Sequence, residues 1–248
     1  MKTFRPILNL LFVAACVPAM SQTDWLPRAS GCDCQIVRHL GYTLAYDEGH
    51  EQAQWVAYVL TREKANGTVP RKGNDRFFPD TTVATGTATP RDYNGSGYSR
   101  GHLAPAADMK WSVQAMRESF LMSNISPQTA AFNDGIWHRA EKLVRRWADK
   151  YDSILVVTGP VLEQDLPQFT GRDGTRISIP RRFYKVVYDP VRRMGIALII
   201  DHCDSDRPPV SFAVTIDDVE RATGIDFFPG IKNEKSIEST LCTKCWIW

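Results

Sequence analysis

Residues 182–201 read "RFYKVVYDPVRRMGIALIID", and this stretch decides the fold class. Two runs rich in β-branched and aromatic residues, 182–189 and 194–201, are separated by the short turn "PVRR". Runs of this length and composition on either side of a turn are typical of the two strands of a β-hairpin. Because strands joined by a hairpin are antiparallel, the sequence predicts an antiparallel pairing here.

Other segments extend this picture along the chain. The runs "QWVAYVLT" (54–61) and "ILVVTGPVL" (154–162) predict two more strands. Helices are predicted over 112–119 from Ser112, over 132–149, and over 216–223 with Thr215 as N-cap. Strands outnumber helices, so we expect an α+β fold with a largely antiparallel sheet. No linker is evident in the sequence, so residues 22–248 are interpreted as one domain with cysteine-containing terminal extensions.

The first 21 residues are interpreted as a targeting segment. Lys2 and Arg5 precede the apolar run "ILNLLFVAACVPA", and Ala19 and Ser21 have the spacing of a signal-peptidase site. The alternative is a lipoprotein signal that ends before Cys16, which would leave that cysteine lipidated and the protein on a membrane. Either interpretation predicts an exported protein, secreted or periplasmic.

The charge balance excludes a protein that is basic overall. The chain has 30 basic and 28 acidic residues, and removal of Lys2 and Arg5 leaves 28 of each. Proteins that bind polyanions often have a global basic excess, so any anion site here must be a local concentration of charge. The segment "WHRAEKLVRRWADK" (137–150) is one candidate, and its ordinary interpretation is a solvated helix face.

The cysteines form two close pairs and a single residue. Cys32 and Cys34 form a C-x-C pair, and Cys242 and Cys245 form a C-x-x-C pair. In an oxidising compartment these pairs could tie the two ends of the chain together by disulfides. A zinc site of four thiolates is the alternative. Cys203 is predicted to be a free, partly buried thiol.

The stretch "YSRGHLAPAADM" (98–109) places Arg100 and His102 beside a run of small residues. A histidine in a groove lined by small residues can be reached by a large substrate. Its pKa near neutrality would let it take a proton from water. The neighbouring arginine could hold a phosphate oxygen. The motif indicates a general base beside a phosphate-binding group, although a lone histidine is more often structural.

Oxygen donors follow the histidine at spacings that suit a metal site. Asn124 lies 22 residues after His102 and Asn133 lies 31 residues after it, and Glu141 and Arg145 follow on the predicted helix. At 100° per residue, Asn133, Glu141 and Arg145 fall within about 120° of one another. An amide oxygen, a carboxylate and water suit Mg²⁺ better than zinc. A histidine base, hydrated Mg²⁺ and arginine are what phosphodiester hydrolysis requires.

The segment "YSRGHLAPAADMKWSVQAMRESFLMSNISPQTAAFNDGIWHRAEK" resembles the DNA/RNA non-specific endonucleases. The resemblance continues through "VVTGPV", "IPRRFYKVV" and "TGIDFFPGI", and it spans roughly residues 40–232. It implies a central antiparallel β-sheet flanked by helices with a ββα-metal catalytic core. It also implies a metal-dependent endonuclease that cleaves both DNA and RNA to products with 5′-phosphates.

The family's site roles carry over residue by residue. The resemblance makes His102 the general base and Asn133 the direct ligand of Mg²⁺ (with Mn²⁺ as a substitute), and Glu141 would act through a water molecule. Asn124 would orient the histidine or bind near the phosphate. Basic side chains would contact the substrate phosphates: Arg76, Arg100 and Arg145. Ser99 stands where the family most often has aspartate, which puts the tuning of its neighbours in doubt. A homodimer is a further expectation.

Two other function classes are open at this point. A nucleic-acid-binding module of the same fold without activity would be expected to lack His102 or Asn133, and both are present. A phosphodiesterase for smaller substrates would use the same site, and the arginines of the long helix favour an extended polyanion over it.

Overall fold

The hairpin at 182–201 has the predicted bounds and lies within a seven-stranded sheet. This arrangement comes from a computed structural model that describes residues 25–29, 31 and 33–248. The predicted targeting segment with Cys16, and also Cys32, lie outside the described residues. Among the described residues, no helix has the length and apolarity that a membrane span requires.

The strands, numbered in chain order, are β1 (Arg28–Ala29), β2 (Gln35–Arg38), β3 (Thr43–Asp47), β4 (Gln52–Thr61), β5 (Ser99–His102), β6 (Ile125–Gln128), β7 (Ser153–Pro160), β8 (Gln168–Thr170), β9 (Arg176–Ser178), β10 (Arg182–Asp189), β11 (Met194–Asp201), β12 (Ala213–Val214) and β13 (Ile225–Asp226). The α-helices are α1 (Arg62–Ala65), α2 (Val113–Glu118), α3 (Ala130–Phe132), α4 (His138–Tyr151), α5 (Ile216–Thr223) and α6 (Glu234–Glu238).

The large sheet has the order β12-β11-β10-β7-β4-β3-β2, and all of its pairings are antiparallel. Consecutive residues of a strand point to opposite faces. Accordingly, Trp55 and Ala57 of β4 join one hydrophobic core, whereas Val56 and Tyr58 join the other. Helix α4 covers one face and helix α5 covers the opposite face. The structure therefore confirms the predicted α+β fold with a central antiparallel sheet between helices.

The structure confirms the predicted bounds of one helix and corrects those of another. Helix α5 has the predicted bounds, and Thr215 caps it in a capping box with Asp218. The long helix predicted over 132–149 is wrong as a single helix. It is broken by a π-helical turn at Asn133–Trp137, in which Gly135 has a non-helical backbone (φ −92°, ψ −114°). Glycine has a low helix propensity because its backbone is so free, which favours a break at this position.

The C-terminal cysteine pair closes on itself, since Cys242 and Cys245 form a disulfide. This pair therefore does not tie the two ends of the chain together, and it is not part of a four-thiolate zinc site. Cys203 is free, as predicted, but it is exposed rather than partly buried. Beyond the disulfide, Trp246 packs on Trp147 of α4 at 4.8 Å between ring centroids, so the last residues lie against that helix.

Candidate active site

A small hairpin and a helix build the site. Strands β5 and β6 pair antiparallel, with Arg100 opposite Pro127 and His102 opposite Ile125. The chain then enters α3, the π-helical turn and α4, so two strands and a helix form one compact unit. A Cβ at Gly101 would lie 2.2 Å from the Gln128 side chain, so this position of the hairpin requires glycine. The arrangement is the ββα core that the resemblance implied.

His102 ends β5 within an aromatic enclosure. Its ring lies 5.5 Å from that of Phe77 and 4.8 Å from that of Phe120. The indole of Trp137 donates a hydrogen bond to the His102 carbonyl at 3.2 Å, which fixes the backbone at this point. Nε2 of His102 is buried and has no hydrogen-bond partner among the described residues. Burial, together with the positive charge of Arg71, lowers the pKa of His102 to about 3, so the ring is neutral at physiological pH.

Asn124 lies beneath the histidine and not on the cleft. It is fully buried. Its side chain accepts a hydrogen bond from the Ala104 amide and donates to the carbonyls of Ala104 and Ser119. Because these bonds occupy the amide inside the protein, the structure contradicts a contact between Asn124 and substrate. They do hold the chain that follows His102, which is consistent with the orienting role that was the other expectation.

Asn133 is positioned indirectly by His202, a histidine that sequence reasoning did not single out. Its amide N–H bonds to the carbonyl of Thr129 at 2.9 Å, and its side chain donates to Asp134 at 3.0 Å. The Thr129 amide in turn donates to Nε2 of His202 at 2.8 Å, and Nδ1 of His202 donates to the Pro180 carbonyl. The turn that presents Asn133 is thereby attached to the large sheet, since His202 directly follows β11.

Glu141 lies among buried charges of both signs. Burial raises the pKa of Glu141, while the positive charges of Lys185 and Arg145 oppose that rise. Arg145 forms an ion pair with Asp108 at 2.7 Å, and Asp108 also accepts a hydrogen bond from the Tyr58 hydroxyl at 2.7 Å. Lys185 is 1% exposed. Strand periodicity could not identify it as a charge that acts on Glu141, because it lies in the middle of a strand among aromatic residues and valines.

Two arginines flank His102 in a similar way. The guanidinium of Arg100 lies 4.8 Å from the ring centroid of Phe77, and that of Arg71 lies 5.2 Å from the centroid of Phe120. Such cation–π contacts orient the guanidinium while leaving its edge available for a phosphate. Arg76 is exposed and lies outside the cleft, so the structure does not support it as the upstream phosphate contact. Arg71, five residues earlier, lines the cleft instead, and the basic segment "PRKGNDR" was the signal for it.

One cleft of about 220 Å³ brings most of the predicted site residues together. Its lining contains Arg100, His102, Asn133, Glu141 and Arg145. Residues that were not predicted also line it: Arg71, Asp134 and His138. The cleft thus combines a neutral imidazole, an amide, a carboxylate and several cations, which is the chemistry that a phosphodiester substrate and a divalent cation call for.

Comparisons with known proteins agree with this geometry. Residues 28–234 match the family described as DNA/RNA non-specific endonuclease. The mitochondrial nuclease EXOG of Danio rerio is 34% identical over 222 residues, which cover 83% of this chain and 63% of that protein. Human mitochondrial endonuclease G is 33% identical over 213 residues, which cover 79% of this chain and 70% of that protein.

A solved structure shares the fold. The crystal structure of the EndoG/EndoGI complex superposes with a TM-score of 0.69 and 29% sequence identity, covering 79% of this chain and 86% of that one. The chain spans about three fifths of the length of its EXOG relatives.

The names of these relatives contradict the predicted export. The fish and human proteins above, and nuclease 1 of Schizosaccharomyces pombe at 32% identity, are all mitochondrial nucleases. The prediction of a secreted or periplasmic protein, soluble or lipidated at Cys16, is therefore wrong by this comparison. The ordered motifs and the ββα core stand independently of that prediction, and with the family match they establish that the chain belongs to the DNA/RNA non-specific endonuclease family.

Proposed function

We propose that this chain is a metal-dependent nuclease that hydrolyses phosphodiester bonds of both DNA and RNA and leaves 5′-phosphates. The observation that carries the proposal is the single cleft in which His102, Asn133 and Glu141 lie together with arginines. Because its cationic groups would meet phosphate rather than bases, we expect little dependence on nucleotide sequence.

His102 is proposed as the general base. Its Nε2 is buried and has no hydrogen-bond partner among the described residues, and His102 lines the cleft, so we assign proton acceptance to Nδ1. The neutral ring can accept a proton at Nδ1 from the attacking water. The two phenylalanines and the backbone bond from Trp137 hold the ring in place. Arg71 and Arg100 are proposed to bind the scissile phosphate from either side of this ring.

The residues present fit Mg²⁺, with Mn²⁺ as a substitute. Asn133 offers a neutral amide oxygen and Glu141 offers a carboxylate, and hard oxygens of this kind are the ligands that Mg²⁺ prefers. We assign direct ligation to Asn133 and contact through a water molecule to Glu141. When bound, the ion would stabilise negative charge on the leaving 3′-oxygen. Arg145 lines the same cleft, its ion pair with the buried Asp108 fixes its position, and we assign it contact with the phosphate.

The experiment is a cleavage assay on plasmid DNA, total RNA and a small phosphodiester, with Mg²⁺ titrated after treatment with EDTA. Wild type should cut both nucleic acids only with the metal, and the 5′ ends should accept label from a kinase only after phosphatase treatment. Asn133→Ala should lower the rate severely, whereas Glu141→Ala should lower it less because it acts through water. Glu63→Gln, an exposed carboxylate on α1, is the matched control.

Three results would contradict the proposal. Full activity in EDTA would exclude the metal site, and an Asn133→Ala variant with unchanged rate and Mg²⁺ dependence would exclude its ligand. Cleavage of the small phosphodiester without cleavage of either nucleic acid would favour a phosphodiesterase for smaller substrates.

A further inference from the structure

Five carboxylates converge near the C-terminal end of the chain, on elements that do not contribute to the cleft. They belong to α5, β13 and α6 and form two overlapping sets: Asp217, Glu220 and Glu238 in one, and Asp226, Glu234 and Glu238 in the other. Within each set, one carboxylate oxygen of each residue lies within 4.8 Å of one oxygen of each of the others. Glu238 belongs to both sets and is therefore the centre of the cluster.

Glu238 is the member that distinguishes this cluster from ordinary surface acids. Only 5% of the residue is exposed, and its Oε1 is buried with no hydrogen-bond partner in the described part of the chain. Burying a carboxylate without a partner is costly, and proteins normally supply a cation or donors for it. Burial, reinforced by the negative charges of Glu220 and Glu234, raises the pKa of Glu238 to about 8.

Two of the other carboxylates are fixed by the backbone. Glu220 accepts a hydrogen bond from the Phe227 amide at 2.9 Å, and Glu234 accepts one from the Gly230 amide at 2.7 Å. Each contact holds the carboxylate by one oxygen, which is how a ligand group is oriented before a cation arrives.

Positive charge near the cluster is sparse. Arg28 lies opposite Asp226 in the pairing of β1 with β13. Burial and the charge of Glu234 raise the pKa of Asp226, and Arg28 lowers it. Arg221 on α5 is engaged with Asp218, which is not a member of the cluster. Lys235 lies on α6 between Glu234 and Glu238, so the cluster has fewer cations than carboxylates beside it.

We propose that these five carboxylates form a second divalent-cation site, of the Ca²⁺ class, centred on Glu238. Calcium takes six to eight oxygen ligands and accepts carboxylates in one- or two-oxygen contact with flexible geometry, whereas Mg²⁺ demands a strict octahedron and keeps its water. Several charged carboxylates from three elements fit the first description. Glu238, the residue common to both sets, lies just beyond the family-matched residues 28–234, whereas the other four carboxylates lie within them.

The cation would act as a structural clamp. Its ligands come from α5, β13 and α6, so binding would join the C-terminal helix to the layer that covers the large sheet. The expected effect of Ca²⁺ is a higher melting temperature, because an ion that binds the folded state and not the unfolded state stabilises the folded state by mass action.

The test uses the full chain, freed of metal with EDTA, and CaCl₂ alone as the probe. Calorimetric titration and thermal unfolding are compared for wild type, Glu238→Gln, Asn133→Ala and the surface control Glu63→Gln. Wild type, Asn133→Ala and Glu63→Gln should bind Ca²⁺ and gain in melting temperature. Glu238→Gln should bind at least about tenfold more weakly, a loss that even outer ligand contacts produce, and its melting temperature should not respond.

A folding defect can be told apart from loss of the site. Without Ca²⁺, Glu238→Gln should melt no lower than wild type, because the raised pKa keeps Glu238 protonated at neutral pH and glutamine replaces that neutral group with one of similar shape. If that variant does not fold, Glu234→Gln and Asp217→Asn, both only partly buried, take its place with the same expectation. Absence of Ca²⁺ binding by wild type at millimolar concentration would overturn the proposal. Equal binding by the cluster variants, or loss of binding in Asn133→Ala alone, would also overturn it.

Discussion

Glu141 in the cleft and Glu238 on α6 are both affected by burial, but the charges around them have opposite signs. Burial raises the pKa of both. Around Glu141 the protein supplies its own cations, Lys185 and Arg145, whereas the neighbours of Glu238 are acids that raise its pKa further. The comparison teaches that the unfavourable free energy of a buried carboxylate can be offset from within the chain or left for an external ion. Glu141 in the cleft has the first arrangement, and the second is the one that we propose for Glu238 in the cluster at the C-terminal helix.

The largest expected effect tests whether the cleft that contains Glu141 carries out the reaction. His102→Ala should lower the rate of cleavage by about 10²–10⁴-fold, the usual cost of removing a general base. Steady-state cleavage of plasmid DNA measures it, and circular dichroism should be unchanged. Glu63→Gln, far from the chemistry, should keep the wild-type rate. A His102→Ala variant with wild-type turnover would show that the cleft has been assigned wrongly.

The second prediction tests how much the buried ion pair between Asp108 and Arg145 stabilises the protein. Asp108→Ala leaves Arg145 without its partner and the Tyr58 hydroxyl without its acceptor. The free energy of unfolding should fall by about 3 kcal/mol or more, as when one member of a buried ion pair is removed. Urea denaturation monitors it. Asp165→Ala, which breaks an exposed pair with Arg181, is the matched control and should cost less than about 1 kcal/mol. Equal losses would mean that burial is unimportant here.

A third buried acid sharpens the comparison, because Asp80 is stabilised by hydrogen bonds. Burial alone would raise its pKa, but bonds from His39, Ser123 and Thr82 hold the pKa of Asp80 well below its ordinary value. Asp80→Asn should therefore destabilise the protein by about 1–3 kcal/mol at neutral pH. A lowered pKa stabilises the folded state above the unfolded value and loses that effect on acidification. The difference between variant and wild type should shrink as pH falls below about 4; a difference that is constant with pH would contradict this.

The smallest effect concerns Ser99, where the family most often has aspartate. Ser99 begins β5 beside Arg100 and lies opposite Gln128. Because a new carboxylate at this half-exposed position would interact through solvent, Ser99→Asp should change kcat/KM by about fivefold or less, equivalent to about 1 kcal/mol. A much larger gain would show that the serine limits the enzyme and that the cleft of this chain is less complete than its lining suggests.

Local patterns predicted the elements that depend on local chemistry. The strands at 182–189 and 194–201 and the helix capped by Thr215 were predictable, because their alternation, turn and cap lie in contiguous sequence. The break at Gly135 was not, since one glycine in an amphipathic segment does not reveal a π-helical turn.

The site was predicted best where one motif carried it. Arg100, His102, Asn133 and Glu141 lie on one cleft, but the continuous helix from which the spacing placed Asn133 beside Glu141 is interrupted at Gly135. Groups that tertiary packing brings from distant segments were missed. Arg71 lines the cleft from a loop, and Lys185, whose charge acts on Glu141, lies buried in β10 in the C-terminal half of the chain.

The bond between His202 and Thr129 has a consequence for protein engineering. The hairpin and helix that carry His102 and Asn133 look like a cassette that could be moved to another scaffold. However, the turn before Asn133 is held by the imidazole of His202, which directly follows strand β11 of the large sheet. One ring nitrogen donates to the Pro180 carbonyl, and the other accepts from the Thr129 amide. A transplanted cassette would lose that acceptor and leave the Thr129 amide to water. Transfer of the ββα core to another scaffold therefore requires that the end of β11 with His202 be transferred as well.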